Sequence, residues 1–210
     1  MLRYMTNDDL ARRPGLRDAM FRDRAAQFSD RLGWAVAVDA AGLERDQYDA
    51  LDPLYVLWDA GCDRHGGSMR FLPTTGRCMV NEHFAHLNGG APVSSPEIWE
   101  CTRFCLAPGA GPHVAAALML AGGELLERQG LRHLLGVFDA NMERIYRRIG
   151  ASPQVLGSAG DGRDRISLGL WSLTGQARAR VARRAGISPA LSQLWYRRAF
   201  GAGSTCLRPA

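Results

Sequence analysis

The chain contains no lysine: all 26 of its basic residues are arginine, against 21 acidic residues, for a formal net charge of +5. Guanidinium pairs bidentately with carboxylate and phosphate. An arginine-rich face therefore suits an acidic protein, a nucleic acid or a phosphate-bearing ligand, or is simply a solvated helix face. Acidic residues are missing from position 166 to position 210, where Arg178, Arg180, Arg183, Arg184, Arg197, Arg198 and Arg208 all fall. No run of about 18 apolar residues is present, which excludes a transmembrane helix. The opening MLRYMTNDDLARR has no apolar core like that of a signal peptide, so the expectation is a soluble, cytoplasmic protein without membrane contact. No CxxC pair occurs among Cys62, Cys78, Cys101, Cys105 and Cys206. An odd count without that spacing argues for reduced thiols serving as small core residues. Cys62, His65, Cys78, His83 and His86 match no closed zinc spacing, and no metal is expected. Repeats and low-complexity segments are absent.

What is present is ordinary for a globular protein. With 46% hydrophobic and 22% charged residues, 210 residues suffice for one substantial core. A single domain over 1–210 is expected, with a basic helical segment over about 175–210. Leu16, Met20 and Phe28 keep roughly helical spacing after Pro14, which predicts a helix from Gly15 to Leu32. LYVLWDAG (54–61) reads as a central strand, and GSMRFLPTTG (67–76) as its neighbour, closed by Pro73 and Gly76. MVNEHFAHL (79–87) predicts a short helix, 97–106 a strand, 113–130 a long helix, 131–140 a strand and 141–150 a helix. Two weaker strands follow, in PQVLGSAG and RISLGLWSL. Strands alternating with helices give an α/β class, with a mixed central sheet covered on both faces.

The stretch 97-EIWECTRFCL-106 poses a problem, because it reads as a buried strand yet carries Glu100 and Arg103. Side chains alternate along a regular strand, so residues three apart point to opposite faces. Other charges also sit where burial is expected. Arg24 lies one helical turn before Phe28, Asp46 and Asp49 precede the LYVLW strand, and Arg70 lies inside the next strand. Singly, each has a bland reading as a surface charge or a loop cap. Together, three arginines against Asp46, Asp49 and Glu100 outline the polar wall of a cleft, since buried charges persist when paired or when a ligand uses them.

In order, spacing and identity, Arg24-x3-Phe28-x5-Trp34, Asp46-x2-Asp49, 69-MRFLPTTG-76, Phe84 and 99-WECTR-103 resemble the acyl-homoserine-lactone synthases, the bacterial makers of quorum-sensing signals. Gly130 and 142-MERIYRRIG-150 resemble that family's next helix-strand-helix unit, whereas the C-terminal segment carries no family motif. The resemblance implies a fold like the GCN5-related N-acetyltransferases: a mixed, splayed central sheet with helices on both faces. It implies acyl transfer from a thioester of acyl carrier protein or coenzyme A to the amine of S-adenosylmethionine. The methionine carboxylate then closes onto its own γ-carbon, expelling 5′-methylthioadenosine and leaving the lactone. S-adenosylmethionine is a substrate, and no cofactor is implied.

That chemistry needs a base, donors for the thioester oxyanion and a pocket that holds the amine in attack geometry. By resemblance Glu100 is the candidate base, with Arg103 beside it as the second catalytic candidate; the competing reading is that Glu100 is structural, paired with Arg24, Arg70 or Arg103. Arg24, Arg70, Asp46 and Asp49 would shape the S-adenosylmethionine site. Phe28 and Trp34 would close over the adenosyl group, Trp34 meeting the sulfonium by a cation-π contact, or Phe28 would simply pack the core. Phe84 belongs to the same series. Phe138 would shorten the acyl tunnel or add an aromatic wall to it. A threonine in that strand often accompanies 3-oxo chains in the family; Gly136, Val137, Phe138 and Asp139 offer none, which argues against a 3-oxo chain. Acetyltransferase-like folds commonly bulge in the strand that holds Glu100. One extra residue, Cys101 or Thr102, would bring Glu100 and Arg103 to one face and free an N–H for the oxyanion. The PGAGP turn (108–112) lies where such folds bind pyrophosphate, but Pro108 and Pro112 remove N–H groups there, which weakens coenzyme A recognition at that turn. The basic tail would steer an acidic carrier protein.

Two rival readings remain. An acyl-coenzyme-A N-acyltransferase acting on another amine leaves the Arg24, Phe28, Trp34, Asp46, Asp49 series unexplained. A nucleic-acid-binding protein would use the arginine-rich tail, but no zinc-finger or RNA-recognition signature supports it, and no nucleic acid is expected as partner.

Overall fold

The computed structural model of the protein describes residues 1–172 and 174–201. Its strands are β1 (Leu2–Met5), β2 (Leu54–Asp59), β3 (His65–Pro73), β4 (Ile98–Leu106), β5 (His133–Asp139), β6 (Gln154–Ala159) and β7 (Ile166–Trp171). They form one seven-stranded sheet in the order β1-β2-β3-β4-β5-β7-β6. Every pairing is antiparallel except β4 with β5, which is parallel and limited to Ile98–Glu100 against His133–Leu135. Beyond Glu100 and Leu135 the two strands part, so the sheet is mixed and splayed at its centre. The apolar run at 54–59 is therefore second from an edge, and β4, with its two charges, is the middle strand. The edge strand β1 was not expected from the sequence.

The helices are α1 (Asn7–Ala11), α2 (Pro14–Ala25), α3 (Met79–His83), α4 (Pro112–Arg128), α5 (Ala140–Ile149), α6 (Gly175–Ala185) and α7 (Pro189–Phe200). On one face of the sheet α2 sets Leu16, Met20 and Phe21 against Tyr55 and Leu57. On the other, α4 is buried at every position from Val114 to Leu126. A helix apolar on all sides is an interior helix: α4 is covered by Val56, Met69 and Phe71 of the sheet and by Val181 and Ala185 of α6. The basic tail, α6 and α7, thus docks on α4 and keeps Arg183 and Arg184 exposed. Arg208 and Cys206 lie outside the described residues.

Three local departures from the expected elements matter for the site. The first helix is α-helical only to Ala25 and continues as a π-helix over Ala26–Arg31, a wider turn that contains Phe28. The 79–87 segment breaks at Phe84 into α3 and a 3-10 turn, Ala85–Asn88. Cys62 is exposed in the turn after β2, at φ +52°, rather than in the core; Cys78 and Cys105 are buried and Cys101 is half-buried. No helix among the described residues is long and apolar enough to cross a membrane, and no group of His, Cys, Asp and Glu among them is placed to hold a metal ion.

Candidate active site

The middle strand solves the alternation problem by a bulge, one residue later than expected. Ser68 opposes Cys105 and Arg70 opposes Thr102, so two steps on β3 face three on β4. Cys101 keeps regular register opposite Phe71, its thiol against Met69 Sδ at 3.7 Å. The extra residue falls instead at Arg103, which has φ +52°. A non-glycine residue in this left-handed region is strained by roughly 1–3 kcal/mol, and the strain persists where surrounding contacts over-determine it. Thr102 and Arg103 consequently serve the same face. Thr102 Oγ1 accepts from Arg70 Nε at 3.0 Å, and Arg103 reaches two carboxylates on the 43–49 loop.

Those carboxylates belong to a closed network. Arg24 donates through Nε to Glu44 at 2.5 Å and through both terminal nitrogens to Asp49 at 2.9 and 3.0 Å. Arg70 donates to Asp46 at 2.5 and 3.0 Å and to Asp49 at 2.8 Å. Arg103 donates to Glu44 at 2.9 and 3.1 Å and pairs with Asp46 at 2.8 Å. Three arginines thus meet three carboxylates, as expected, but the third acid is Glu44 and not Glu100. Nothing in 43-LERDQYD-49 marks Glu44 as inward; it is carried in by a bridge between Val38 and Glu44 and by its N–H bonding to Phe21 C=O at 3.1 Å. Burial alone would raise the Asp49 carboxyl, but Arg24 and Arg70 outweigh it and hold the group below the ordinary carboxylate range. Side-chain exposure is 1% at Arg24 and Arg70 and 0% at Glu44, yet 10% at Arg103 and 12% at Asp46. Asp49, at 9%, is nearly as open, so the network presents one cation, Arg103, and two carboxylates, Asp46 and Asp49, to an incoming molecule.

Glu100 stands apart from this network. It is buried and accepts the N–H groups of Met79 at 2.9 Å and Val80 at 2.6 Å. These are the first free amides of α3, whose N-cap Cys78 makes no side-chain cap. A strand carboxylate supplies the missing cap, and no arginine forms an ion pair with it among the described residues. Burial pushes the Glu100 carboxyl above its ordinary value, although the two amides and nearby Arg70 pull the other way. Each oxygen keeps a second lone pair, so the group remains able to accept a proton.

The structure splits the expected aromatic residues into three places. Phe28 is buried and stacks on Trp34, ring centroids 5.2 Å apart at 11°, and the Arg103 guanidinium carbon lies 5.4 Å from the Phe28 ring centroid. Trp34 is 45% exposed, so its outer face is open. Phe84 is half-buried at the end of α3, in the small cluster with Val80, Leu87 and Leu135. Phe138 is buried against Tyr146 and Trp171. Its ring does not border the cavity of about 50 Å³ that opens where β4 and β5 part; Tyr146 and Trp171 stand there instead. Sequence reasoning missed Tyr146, which lies in a quoted motif but carries no spacing signal of its own.

With the geometry in hand, known proteins supply the identity. The chain matches the family profile described as Autoinducer synthase over residues 8–172. It is 41% identical over 181 residues to an acyl-homoserine-lactone synthase of Rhizobium etli, covering 83% of this chain and 85% of that one. Among solved structures, the coenzyme-A-dependent acyl-homoserine lactone synthase MesI superposes with TM-score 0.78 at 26% identity, over 91% of this chain and 98% of that one. TofI, in a ternary complex with an inhibitor and MTA, gives TM-score 0.69 at 27% identity over 90% and 99%. A Lactobacillus plantarum protein assigned to the N-acetyltransferases shares the fold alone, with TM-score 0.55 at 15% identity over 82% and 99%. The chain belongs to the autoinducer synthase family, the acyl-homoserine-lactone synthases.

Proposed function

We propose that the chain transfers an acyl group from a thioester to the amine of S-adenosylmethionine and then forms the lactone. The amine attacks the thioester carbonyl, the C–S bond breaks, and the thiol leaves with a proton. The methionine carboxylate next attacks its own γ-carbon, breaking the bond to the sulfonium sulfur. N-acyl-homoserine lactone and 5′-methylthioadenosine are released.

The residues divide the work as follows. Glu100 takes the amine proton, directly or through one water; its raised carboxyl brings it closer to the ideal base at working pH. Arg103, the one partly open cation of the network, takes the methionine carboxylate, and Asp46, its most open carboxylate, takes the ammonium. Arg24, Arg70, Glu44 and Asp49 hold that pair in place. The open face of Trp34, braced by Phe28, receives the adenosyl group and its sulfonium. β4 loses β5 as partner beyond Glu100, and an N–H on that freed edge is the donor for the thioester oxyanion. The acyl carrier is acyl carrier protein or coenzyme A. The exposed arginines of α6 favour an acidic carrier protein.

What supports this reading is that β4, where it parts from β5, carries Glu100 and also Arg103, which pairs with Asp46 and lines an opening of about 50 Å³. Mass spectrometry of medium from cells expressing the chain tests it. A lactone with one dominant acyl group is expected. Absence of any lactone, with the protein soluble and thioesters supplied, overturns the reading.

A further inference from the structure

A cavity of about 510 Å³ opens between the edge strand β1, the turn that joins α1 to α2, and α7. Ligand clefts typically measure about 300–1,000 Å³, so this one has room for a small molecule. β1 lies three strands from β4 in the sheet, which at about 4.8 Å per strand sets the two roughly 14 Å apart. None of the residues assigned to acyl transfer lines the cavity.

Its walls are cationic. Arg3, Arg12, Arg13 and Arg198 line it, and Asp9 is the one carboxylate that does. Asp9 is already engaged: it accepts from the Thr6 N–H and hydroxyl, both at 3.1 Å, and from Arg12 at 3.1 Å. Behind the wall Asp59 accepts from Arg3 Nε at 2.6 Å and from Arg13 at 2.7 Å, and Asp63 accepts from Arg13 at 2.6 Å. Four arginines thus meet three carboxylates, and Arg198 makes no hydrogen bond or ion pair among the described residues. Arg3 commits only its Nε there, so both of its terminal nitrogens remain as donors. Two guanidinium groups with unused donors on one cavity suit a phosphate, which accepts bidentately from each.

Trp195 adds a flat aromatic wall. Its ring is set edge to face on Trp58, centroids 6.2 Å apart at 88°, and it lines the cavity three residues before Arg198 on α7. Residues three apart share a helix face, so ring and cation are presented together. Any nucleobase can stack on such a ring, because every base has a π-face.

We propose that this cavity binds a nucleoside monophosphate, with its phosphate on Arg3 and Arg198 and its base on Trp195, as a ligand separate from the reacting molecules. S-adenosylmethionine and 5′-methylthioadenosine carry a base but no phosphate, and so lack the group that the arginines hold. The proposal goes beyond the acyl-transfer reading and does not depend on it.

Calorimetry on the purified full chain at low salt tests it, with adenosine and guanosine 5′-monophosphates, ribose 5-phosphate and inorganic phosphate as probes. Saturating 5′-methylthioadenosine is present throughout to occupy the substrate cleft, and the titrations are repeated with coenzyme A. Each nucleotide should bind at least about tenfold more tightly than ribose 5-phosphate or inorganic phosphate. Arg198→Gln, at an exposed position, should weaken nucleotide binding about tenfold. Arg3→Lys, which keeps a cation beside Asp59 but removes the fork, should do the same. Trp195→Leu should reduce the nucleotides to the level of ribose 5-phosphate. Folding is checked by circular dichroism, and Arg198→Gln decides if either of the other variants fails to fold. Absence of nucleotide binding, equal affinity for nucleotide and inorganic phosphate, or an affinity unchanged in Arg198→Gln overturns the proposal. Displacement of the nucleotide by coenzyme A assigns it to the acyl-donor site and overturns the proposal as well.

Discussion

Asparagine at position 49 matches the shape of the aspartate it replaces and removes one negative charge from the centre of the arginine network. Asp49 accepts from Arg24 at 2.9 and 3.0 Å, from Arg70 at 2.8 Å, from Tyr55 Oη at 2.8 Å and from Asp46 N–H at 2.9 Å. An amide keeps one of the two oxygens and turns an NH₂ towards a guanidinium that also only donates. Breaking a buried pair by removing one partner costs about 3–5 kcal/mol. Arg24 keeps Glu44 and Arg70 keeps Asp46, which places this change near the lower end, about 3 kcal/mol. For a chain of this length each kcal/mol moves Tm by about 2–4 °C, so Asp49→Asn should melt roughly 6–12 °C below wild type by circular dichroism at neutral pH. The sign of the pH dependence follows from the depressed carboxyl. Its stabilisation is fully present above the unfolded value near 4 and is lost as pH falls through the lower folded value. The gap between variant and wild type should therefore close on acidification below about pH 4. A variant melting within about 2 °C of wild type, or a gap unchanged in acid, would refute the network's role in holding the fold.

The remaining expectations concern chemistry and binding. Glu100→Gln should lower kcat by about 10²–10⁴ with folding checked by circular dichroism, since the amide also meets the α3 N–H groups less well. In the wild type the acid limb of the rate profile should lie above the ordinary glutamate value of about 4.3, because burial raises Glu100; near-normal turnover in the variant would remove Glu100 as base. Trp34→Ala, at an exposed position, should weaken S-adenosylmethionine binding by about tenfold in calorimetry and leave Tm unchanged; equal affinity would detach Trp34 from the adenosyl group. Reversing Arg183 and Arg184 to glutamate should raise KM for an acidic acyl carrier protein at low salt, and an unchanged KM would show that α6 is not its dock.

Alternation along β4 set Glu100 and Arg103 on opposite faces of a regular strand, and the family resemblance supplied the bulge that would reconcile them. Its position was not legible: it depends on Cys101 staying opposite Phe71 beneath the apolar face of α4, a tertiary contact. Arg24, Asp46, Asp49 and Arg70 were legible as partners because spacing and residue type both marked them. Glu44 was not, since a loop carboxylate turns inward only when a neighbouring strand segment carries it there. The competing reading, in which Glu100 pairs with an arginine, failed for a related reason. α3 begins without a capping side chain, and its free amides claim the nearest buried carboxylate. The splayed sheet could be anticipated from the family resemblance, but β1 could not, because four residues of ordinary composition acquire strand character only by lying along β2. Tyr146 illustrates the same limit at the cavity beside β4, where the helix pattern gives its face and only the fold shows what that face meets.

The central claim is that one active site both forms the amide and expels the nucleoside. Purified chain incubated with S-adenosylmethionine and an acyl thioester, with products quantified by mass spectrometry, tests it most directly. N-acyl-homoserine lactone and 5′-methylthioadenosine should appear in equal amounts, matched by free thiol. An acylated product that still carries the adenosyl group, or thiol release without lactone, would contradict the account.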